Sequence, residues 1–302
     1  MSRKVWILLI GCLLPLIASA WGFWAHRQIH EHAIARLPGP LKAFYNKHRA
    51  WLVEHAVDPD MRRREDPAEA PRHFIDLERY GEYPFPDLPR RYEEALARYP
   101  ADTLFRYGLA PWAIVEVMER LTEAMRRRDT GQILRWSADL GHYLADVHVP
   151  LHTTLNYDGQ LTGQHGIHAR WESELPERFG SRYRLHRGPR ARYIPDVLAH
   201  TWEVILRSHR LVDSLLATER RVREQLPQQE WFQDQVQPDG RSVRQYSDRY
   251  YQLWHQMLEG MVERQMRQAI FEVASYWYTA WVNAGRPPLS RRVRFLFFEW
   301  YR

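Results

Sequence analysis

The chain has 302 residues, 43 lysines and arginines against 37 aspartates and glutamates, a formal net charge of +6 and a single cysteine. Such a length buries the core of one large domain or two small ones, and one cysteine excludes a scaffold held by internal disulfides. The mild basicity suits anionic substrates or membrane surfaces without diagnosing either.

Residues 1–20 read as a secretory leader: Arg3 and Lys4 open it, Val5 to Ile17 is apolar, and Ala18-Ser19-Ala20 is a small-residue cleavage site. The apolar run is too short for a spanning helix, which needs about 20 residues, and it contains Gly11 and Pro15. Leu9-Ile10-Gly11-Cys12 also resembles a lipoprotein cleavage site, but the apolar stretch before it is short. Cleavage after Ala20 is the favoured reading, with export to the periplasm or the medium. It removes Cys12 and two basic residues, lowering the net charge to +4 and leaving a cysteine-free chain stabilised by packing or metal.

Behind the leader, "SAWGFWAHRQIHEHAI" places Trp21 and His26 next to the new terminus. Helical apolar spacing then marks Leu41 to Val57 and Ala110 to Arg127, the latter through Val115, Val117, Met118, Leu121 and Met125. Ile133 to Val149, Ile194 to Leu226 and Tyr246 to Ala284 also read as helical. Loops are expected at Arg62 to Arg72, Tyr83 to Pro89 and Asn156 to Gly166. No internal repeat is visible and few segments alternate with period two, so one all-α, multi-helix domain over residues 21–302 is expected. The aromatic "ASYWYTAWV" from Ala274 and the closing "VRFLFFEWYR" fit core packing better than substrate stacking or a membrane-binding tail.

Histidine is abundant, 15 in all, about twice the usual frequency, and its spacing carries the chemistry. In "HYLADVHVPLH", His142 and Asp146 are four apart and share a helix face. Pro150 bends the chain and can swing His152 toward the same region. Beyond a glycine-bearing loop, "HARWE" repeats the spacing with His168 and Glu172. Imidazole and carboxylate ligands suit zinc, and a carboxylate can bridge two ions. Clustered zinc ions suit phosphoester hydrolysis. A leader cut at Ala20 also frees the amino group of Trp21, which with its carbonyl oxygen can chelate a metal that His26 closes upon.

The ordered set "WGFWAH", "RHFIDL", "HYLADVHVPLH" and "GIHARWE" resembles the zinc-dependent phospholipases C and single-strand-specific zinc nucleases. The resemblance spans Trp21 to about Glu172. It implies an all-helical fold around a trinuclear zinc site that uses the processed N-terminal tryptophan. Carried over by position, it assigns Trp21 and His26 to one ion, bridged by Asp146. His73, His142, Asp146 and an aspartate of "HAVDPDMRR" go to a second ion, and His152, His168 and Glu172 to a third. Asp60 is favoured over Asp58 because it lies three before Arg63, whereas Asp58 gives the nuclease-like distance to His73. Either carboxylate could orient or deprotonate the attacking water.

The implied reaction is phosphodiester hydrolysis. Glu172, the short gap from His152 to His168 and the lack of a glycine-glycine-asparagine element favour a phospholipid substrate. The tryptophan-to-histidine spacing and Trp171 favour single-stranded nucleic acid, for which Arg62, Arg63 and Arg64 could supply charge. Trp24, Tyr143 and Tyr157 are candidates to contact a lipid headgroup cation. A non-catalytic helical binding protein with structural zinc is the remaining alternative. Transient membrane-surface contact is compatible with these readings, and no protein partner is implied. His30 reads as supporting His26 or as a solvated face, His148 as a non-ligand, and His165 as the competitor to His168.

Overall fold

The computed structural model describes residues 21–236 and 241–289; the leader and the closing apolar segment lie outside them. The helices run in order α1 (Phe23–Arg36), α2 (Gly39–Lys47), α3 (Arg49–Glu54), α4 (Asp58–Arg62), α5 (Tyr92–Arg98), α6 (Ala101–Tyr107), α7 (Ala110–Arg127) and α8 (Thr130–Asp146). They continue with α9 (Ile167–Ala169), α10 (Leu175–Phe179), α11 (Val197–His209), α12 (Val212–Gln225), α13 (Asp248–Met257) and α14 (Met261–Asn283). The fold is all-α, as expected. Among the described residues, no helix is long and apolar enough to cross a membrane.

The centre is a bundle of α1, α7, α8 and α14. Helix α7 begins with Pro111 in its first turn, where a missing N–H costs nothing, and buries Trp112, Ile114, Val117, Met118, Leu121 and Met125. It stops at Arg128 in the left-handed region, φ 57°. Asp129 then caps α8 by accepting the Gln132 N–H at 3.1 Å, so the two helices form a tight hairpin. Helix α14 buries Tyr276 and Trp277 as core residues. The Trp277 indole donates to the Ser137 carbonyl at 3.0 Å and its ring stacks on Tyr45 at 4.8 Å.

Three expected helices are broken. The stretch from Leu41 is interrupted at His48 and again in a tight turn over His55–Val57. The stretch from Ile194 becomes helical only at Val197, capped by Asp196, and breaks between His209 and Val212. The last splits where Gly260 takes φ +76°, which a side-chain-bearing residue adopts at a cost. Expected loop residue Arg62 instead closes helix α4, and Ala70–His73 form a tight helical turn. Strands β1 (Phe232–Val236) and β2 (Ser242–Tyr246) form an antiparallel hairpin. Its polar, exposed residues carry no alternating pattern to announce it; a Phe232–Tyr246 ring pair at 4.7 Å anchors it.

Helix α1 approaches α8 through His30. This residue is fully buried rather than on a solvated face, with Nδ1 2.9 Å from the His26 carbonyl and Nε2 3.1 Å from the Ala138 carbonyl. Burial pushes its pKa down to about 3, so the ring is neutral and donates to one of these carbonyls. The ring packs where a Cβ on Gly141 would stand, closer than van der Waals contact allows. Alanine at 141 gains about 1 kcal/mol in helix propensity, but overpacking against a pinned ring costs about 1–3 kcal/mol. Gly141→Ala is therefore expected to lower the thermal midpoint by a few degrees in a calorimetric scan; an unchanged or higher midpoint contradicts the close approach.

Candidate metal centre

The clustered side chains come from seven elements along the chain. Helix α1 supplies His26, α4 supplies Asp60, the Ala70–His73 turn supplies His73, and the last turn and a half of α8 supplies His142 and Asp146. The turn Pro150–Thr153, which follows α8 where Pro150 prevents its continuation, supplies His152. His168 lies in α9 and Glu172 in a π-helical stretch, Arg170–Glu174. Such widened turns favour functional sites, since they re-aim side chains. Despite the widening, His168 Nε2 and Glu172 Oε2 are 3.0 Å apart.

Three groups result: His26, His142 and Asp146; Asp60, His73 and His142; and His152, His168 and Glu172. All are buried, and within each group the potential ligand atoms lie within 4.8 Å of one another. Asp146 joins the first two. Its Oδ1 is 3.4 Å from His26 Nε2, while its Oδ2 is 2.8 Å from His73 Nδ1 and 3.3 Å from His142 Nε2. Asp60 Oδ1 lies 3.7 Å from His142 and 3.8 Å from His73. Asp58, two residues before Asp60 and so on the other side of α4, pairs with His55 at 2.7 Å, its side chain 43 % exposed.

Backbone carbonyls set the direction of several rings. His142 Nδ1 is 2.9 Å from the Ala56 carbonyl, His152 Nδ1 2.6 Å from that of His73, and His168 Nδ1 3.0 Å from that of Tyr157. A proton held at Nδ1 leaves Nε2 as the free lone pair facing the centre. His73 is reversed: Nδ1 faces the centre and Nε2 lies 3.5 Å from Glu69 Oε1. Glu69 is in turn held by the Tyr143 hydroxyl and by Arg62 Nε at 3.1 Å, and Arg62 reaches Asp139 at 3.0 Å.

Charge in this interior is unevenly placed. Burial pushes the Asp146 carboxyl up, but the charge of His142 and the neighbouring His26 and His73 hold it well below the usual carboxylate range. Burial likewise opposes and then yields to Asp146 and Asp60 at His142, whose pKa rises to about 9. Burial and the nearby His142 lower that of His26, whose ring stacks on His142 with centroids 3.9 Å apart. Glu172, against the pull of burial, is lowered by His168 and His152, and it raises His168.

A divalent cation fits these residues. His26 leaves both ring nitrogens without a hydrogen bond, and Asp60 Oδ2, Asp146 Oδ1, His168 Nε2 and Glu172 Oε1 are likewise buried and lack one. Each such orphan costs about 1–3 kcal/mol unless something binds it. Nitrogen and carboxylate donors converging in a dry interior are the donor set of zinc.

Trp21 is anchored beside this cluster. Its indole donates to the Ala145 carbonyl at 2.6 Å, its ring lies 5.1 Å from Trp171, and the Gly22 N–H donates to the Glu172 carbonyl at 3.2 Å. The start of the described chain is thereby pinned between the residue before Asp146 and the backbone of Glu172.

The remaining candidates separate clearly. His148 is buried on another face, with Nδ1 2.7 Å from the Leu144 carbonyl, and His165 is exposed; neither belongs to the three groups. Tyr143 is buried with its hydroxyl engaged, and Trp24 packs over Gly180, which leaves Tyr157 as the headgroup candidate at the site. Tyr157 lines a cavity of about 370 Å³ with Arg63, His73, Phe74, Asp76, His152 and His168 among its walls. A larger cavity of about 590 Å³, around Trp112, Tyr92 and Leu198, contains none of the clustered residues. Sequence reasoning missed Glu69, although it stands four before His73, and Asp76, although it lies within the "RHFIDL" motif.

Fold and site together define a helical metallohydrolase architecture. The model of the zinc-dependent phospholipase C family matches residues 25–226, and the chain belongs to that family. A search of curated proteins gave no significant match. At family level the chain is a phospholipase C-like, zinc-dependent hydrolase.

Asp60→Asn is expected to lower the zinc bound per chain, measured by elemental analysis of purified protein, whereas Asp58→Asn retains it. Equal zinc in both variants removes Asp60 from the centre. Glu69→Gln, which weakens the hold on His73 Nε2, is expected to weaken zinc binding about 10-fold in a chelator competition.

Proposed function

We propose that the protein is an exported zinc-dependent phosphodiesterase that cleaves phospholipids in the manner of a phospholipase C. The observation that carries this reading is the cluster of buried, unpartnered imidazole and carboxylate atoms at the wall of the 370 Å³ cavity, in a chain of this family. His26 and Asp146 would hold one ion together with the amino group and carbonyl oxygen of Trp21. Asp60, His73, His142 and Asp146 would hold a second, and His152, His168 and Glu172 a third. Removal of residues 1–20 is what frees the Trp21 amino group, so export and assembly of the site are coupled.

Zinc, when bound, supplies Lewis acidity toward the phosphate oxygens and acidifies water to near neutrality. The protein's own residues do the rest. Asp60 Oδ2 accepts no hydrogen bond within the protein and is placed to orient the attacking water and take its proton. Arg63, 3.3 Å from Asp60 Oδ1 and in the cavity wall, brings a positive charge to the phosphate. Attack at phosphorus then breaks the bond to the glycerol oxygen, which takes up the proton held by Asp60 and leaves as diacylglycerol, and the phosphorylated headgroup is released. Arg62 belongs to the Glu69–Asp139 network rather than to an exposed basic track, which weakens the nucleic-acid reading. The lipid surface is met transiently.

Zinc-loaded protein beginning at Trp21 is expected to hydrolyse phosphatidylcholine vesicles faster than a single-stranded oligonucleotide, with chelator abolishing the reaction. The reverse ranking identifies a nuclease, and a zinc-replete protein inert on both is a binding protein. His142→Ala is expected to remove activity and lower zinc content together. Keeping Ala20 attached to Trp21 is expected to lower zinc content; full loading of that extended chain contradicts the terminal ligand.

A further inference from the structure

From Arg178 to Pro195 the chain carries six arginines and no acidic residue. This segment contributes nothing to the metal centre and is laid along α14. The Arg184 N–H donates to Glu263 at 2.9 Å, the Arg192 N–H to Ser275 Oγ at 3.2 Å and the Ile194 N–H to Thr279 Oγ1 at 3.0 Å. Arg36 of α1 donates to the carbonyls of Leu185 and Gly188 at 3.0 and 2.9 Å, and Arg267 to that of Arg187 at 3.3 Å. The backbone is thus held in place, while Arg182, Arg184, Arg187, Arg190 and Arg192 remain exposed.

Two hollows of about 200 and 300 Å³ share Arg264 and Gln268 in their walls. Arg207, Arg210 and Gln265 complete the polar lining of the first, and Arg187, Arg267 and Phe271 stand in the second. Little negative charge answers them. Arg207 reaches the buried Glu272 at 3.4 Å, but Glu272 already pairs with His200 at 2.8 Å. Among the described residues, the guanidinium groups of Arg187, Arg190 and Arg210 have no hydrogen bond or ion pair. Partial burial and then the charge of Arg267 lower the pKa of Arg36, as like charges held close together do.

Cations gathered in this way repel one another, and an anionic partner relieves the repulsion. The form of the surface selects the partner. Single-stranded nucleic acid needs open aromatic faces for its bases, yet Phe271 is covered by Arg192, whose guanidinium carbon lies 5.4 Å from the ring centroid. A surface rich in phosphate needs only guanidinium groups spread over an area. Here they come from the 182–192 segment, the end of α11 and the first turns of α14. Tyr193, exposed in the same run, has the amphipathic ring favoured at a lipid–water boundary. We infer that this arginine face docks the protein on anionic phospholipid surfaces, with lipid phosphates entering the two hollows. The inference goes beyond the phospholipase reading, because the docked lipid is held by charge and is not cleaved there.

The test is cosedimentation of zinc-loaded protein beginning at Trp21 with vesicles of phosphatidylcholine alone, or of phosphatidylcholine with an equal part of phosphatidylglycerol. Wild type is expected to prefer the anionic vesicles and to lose that preference at about 1 M salt, where the screening length is about 3 Å. The combined variant Arg187→Gln, Arg190→Gln, Arg210→Gln is expected to bind them about 100-fold more weakly, about fivefold for each arginine. Its thermal midpoint and its hydrolysis of dispersed short-chain phosphatidylcholine stay at the wild-type values, because these three side chains have no partner within the protein. A control combining Arg64→Gln, Arg220→Gln and Arg221→Gln, exposed on other elements, is expected to stay within about threefold of wild type. Equal losses in the two combined variants, or equal wild-type binding to both kinds of vesicle, overturn the assignment. Tighter binding to a single-stranded oligonucleotide than to the anionic vesicles, lost in the first variant, also overturns it and makes this a nucleic-acid surface. Anionic-vesicle binding without cleavage of any lipid overturns the phospholipase reading alone, and cleavage without that binding preference overturns the docking face alone.

Discussion

The structure turns on one buried carboxylate. Asp146 ends α8 with its two oxygens directed at different partners, Oδ1 toward His26 and Oδ2 toward His73 and His142. An isolated carboxylate at this depth is strongly unfavourable, so three imidazoles must converge on it from three separate elements. Helix α1, the Ala70–His73 turn and α8 are therefore fixed relative to one another by the same demand that creates the site. Gly141 belongs to this arrangement, because only a residue without a side chain leaves room for His30 to bring α1 against α8.

What the sequence made legible follows from helical geometry. His142 with Asp146 and His168 with Glu172 are four apart, and a helix of either ordinary or slightly widened pitch keeps such pairs on one side. The all-α fold was readable for the same reason, since α7, α8 and α14 carry their apolar residues with helical period. Local spacing cannot report what approaches from far away. Arg62 stands in a basic run of three arginines, yet it ties Glu69 to Asp139 across the whole of α5, α6 and α7. His30 was equally opaque: its burial depends on Gly141, more than a hundred positions later. The choice between Asp58 and Asp60 was open in sequence because both lie in one short helix; which side faces His73 is decided by how α4 docks on α8.

The broken helices have a shared physical origin. A continuous hydrophobic period shows where apolar residues recur, but not where the backbone must turn to pass a neighbour. Gly260 supplies such a turn between α13 and α14, and the break between α11 and α12 permits the second helix to pack back toward the loop that carries Tyr157. That loop is well tied down. Asp158 accepts from the N–H groups of Gly166 and His168 at 3.0 and 3.4 Å, and Arg170 bonds the carbonyls of Gln164 and His165. Arg170 itself is buried against Glu219 and the ring of Tyr246.

These supports distribute rigidity unequally across the cavity. The metal-facing wall is built from side chains whose second ring nitrogen is already fixed, so it is preorganised before any ligand arrives. On the opposite side, the half-exposed Tyr157 ring meets His168 edge-on with centroids 6.4 Å apart, and among the described residues the Asp76 carboxylate has no hydrogen bond or ion pair. The cavity is thus braced on the side of the clustered imidazoles and less constrained on the side of Tyr157 and Asp76. Neither Asp76 nor Tyr157 contributes to the three buried groups that converge around Asp146.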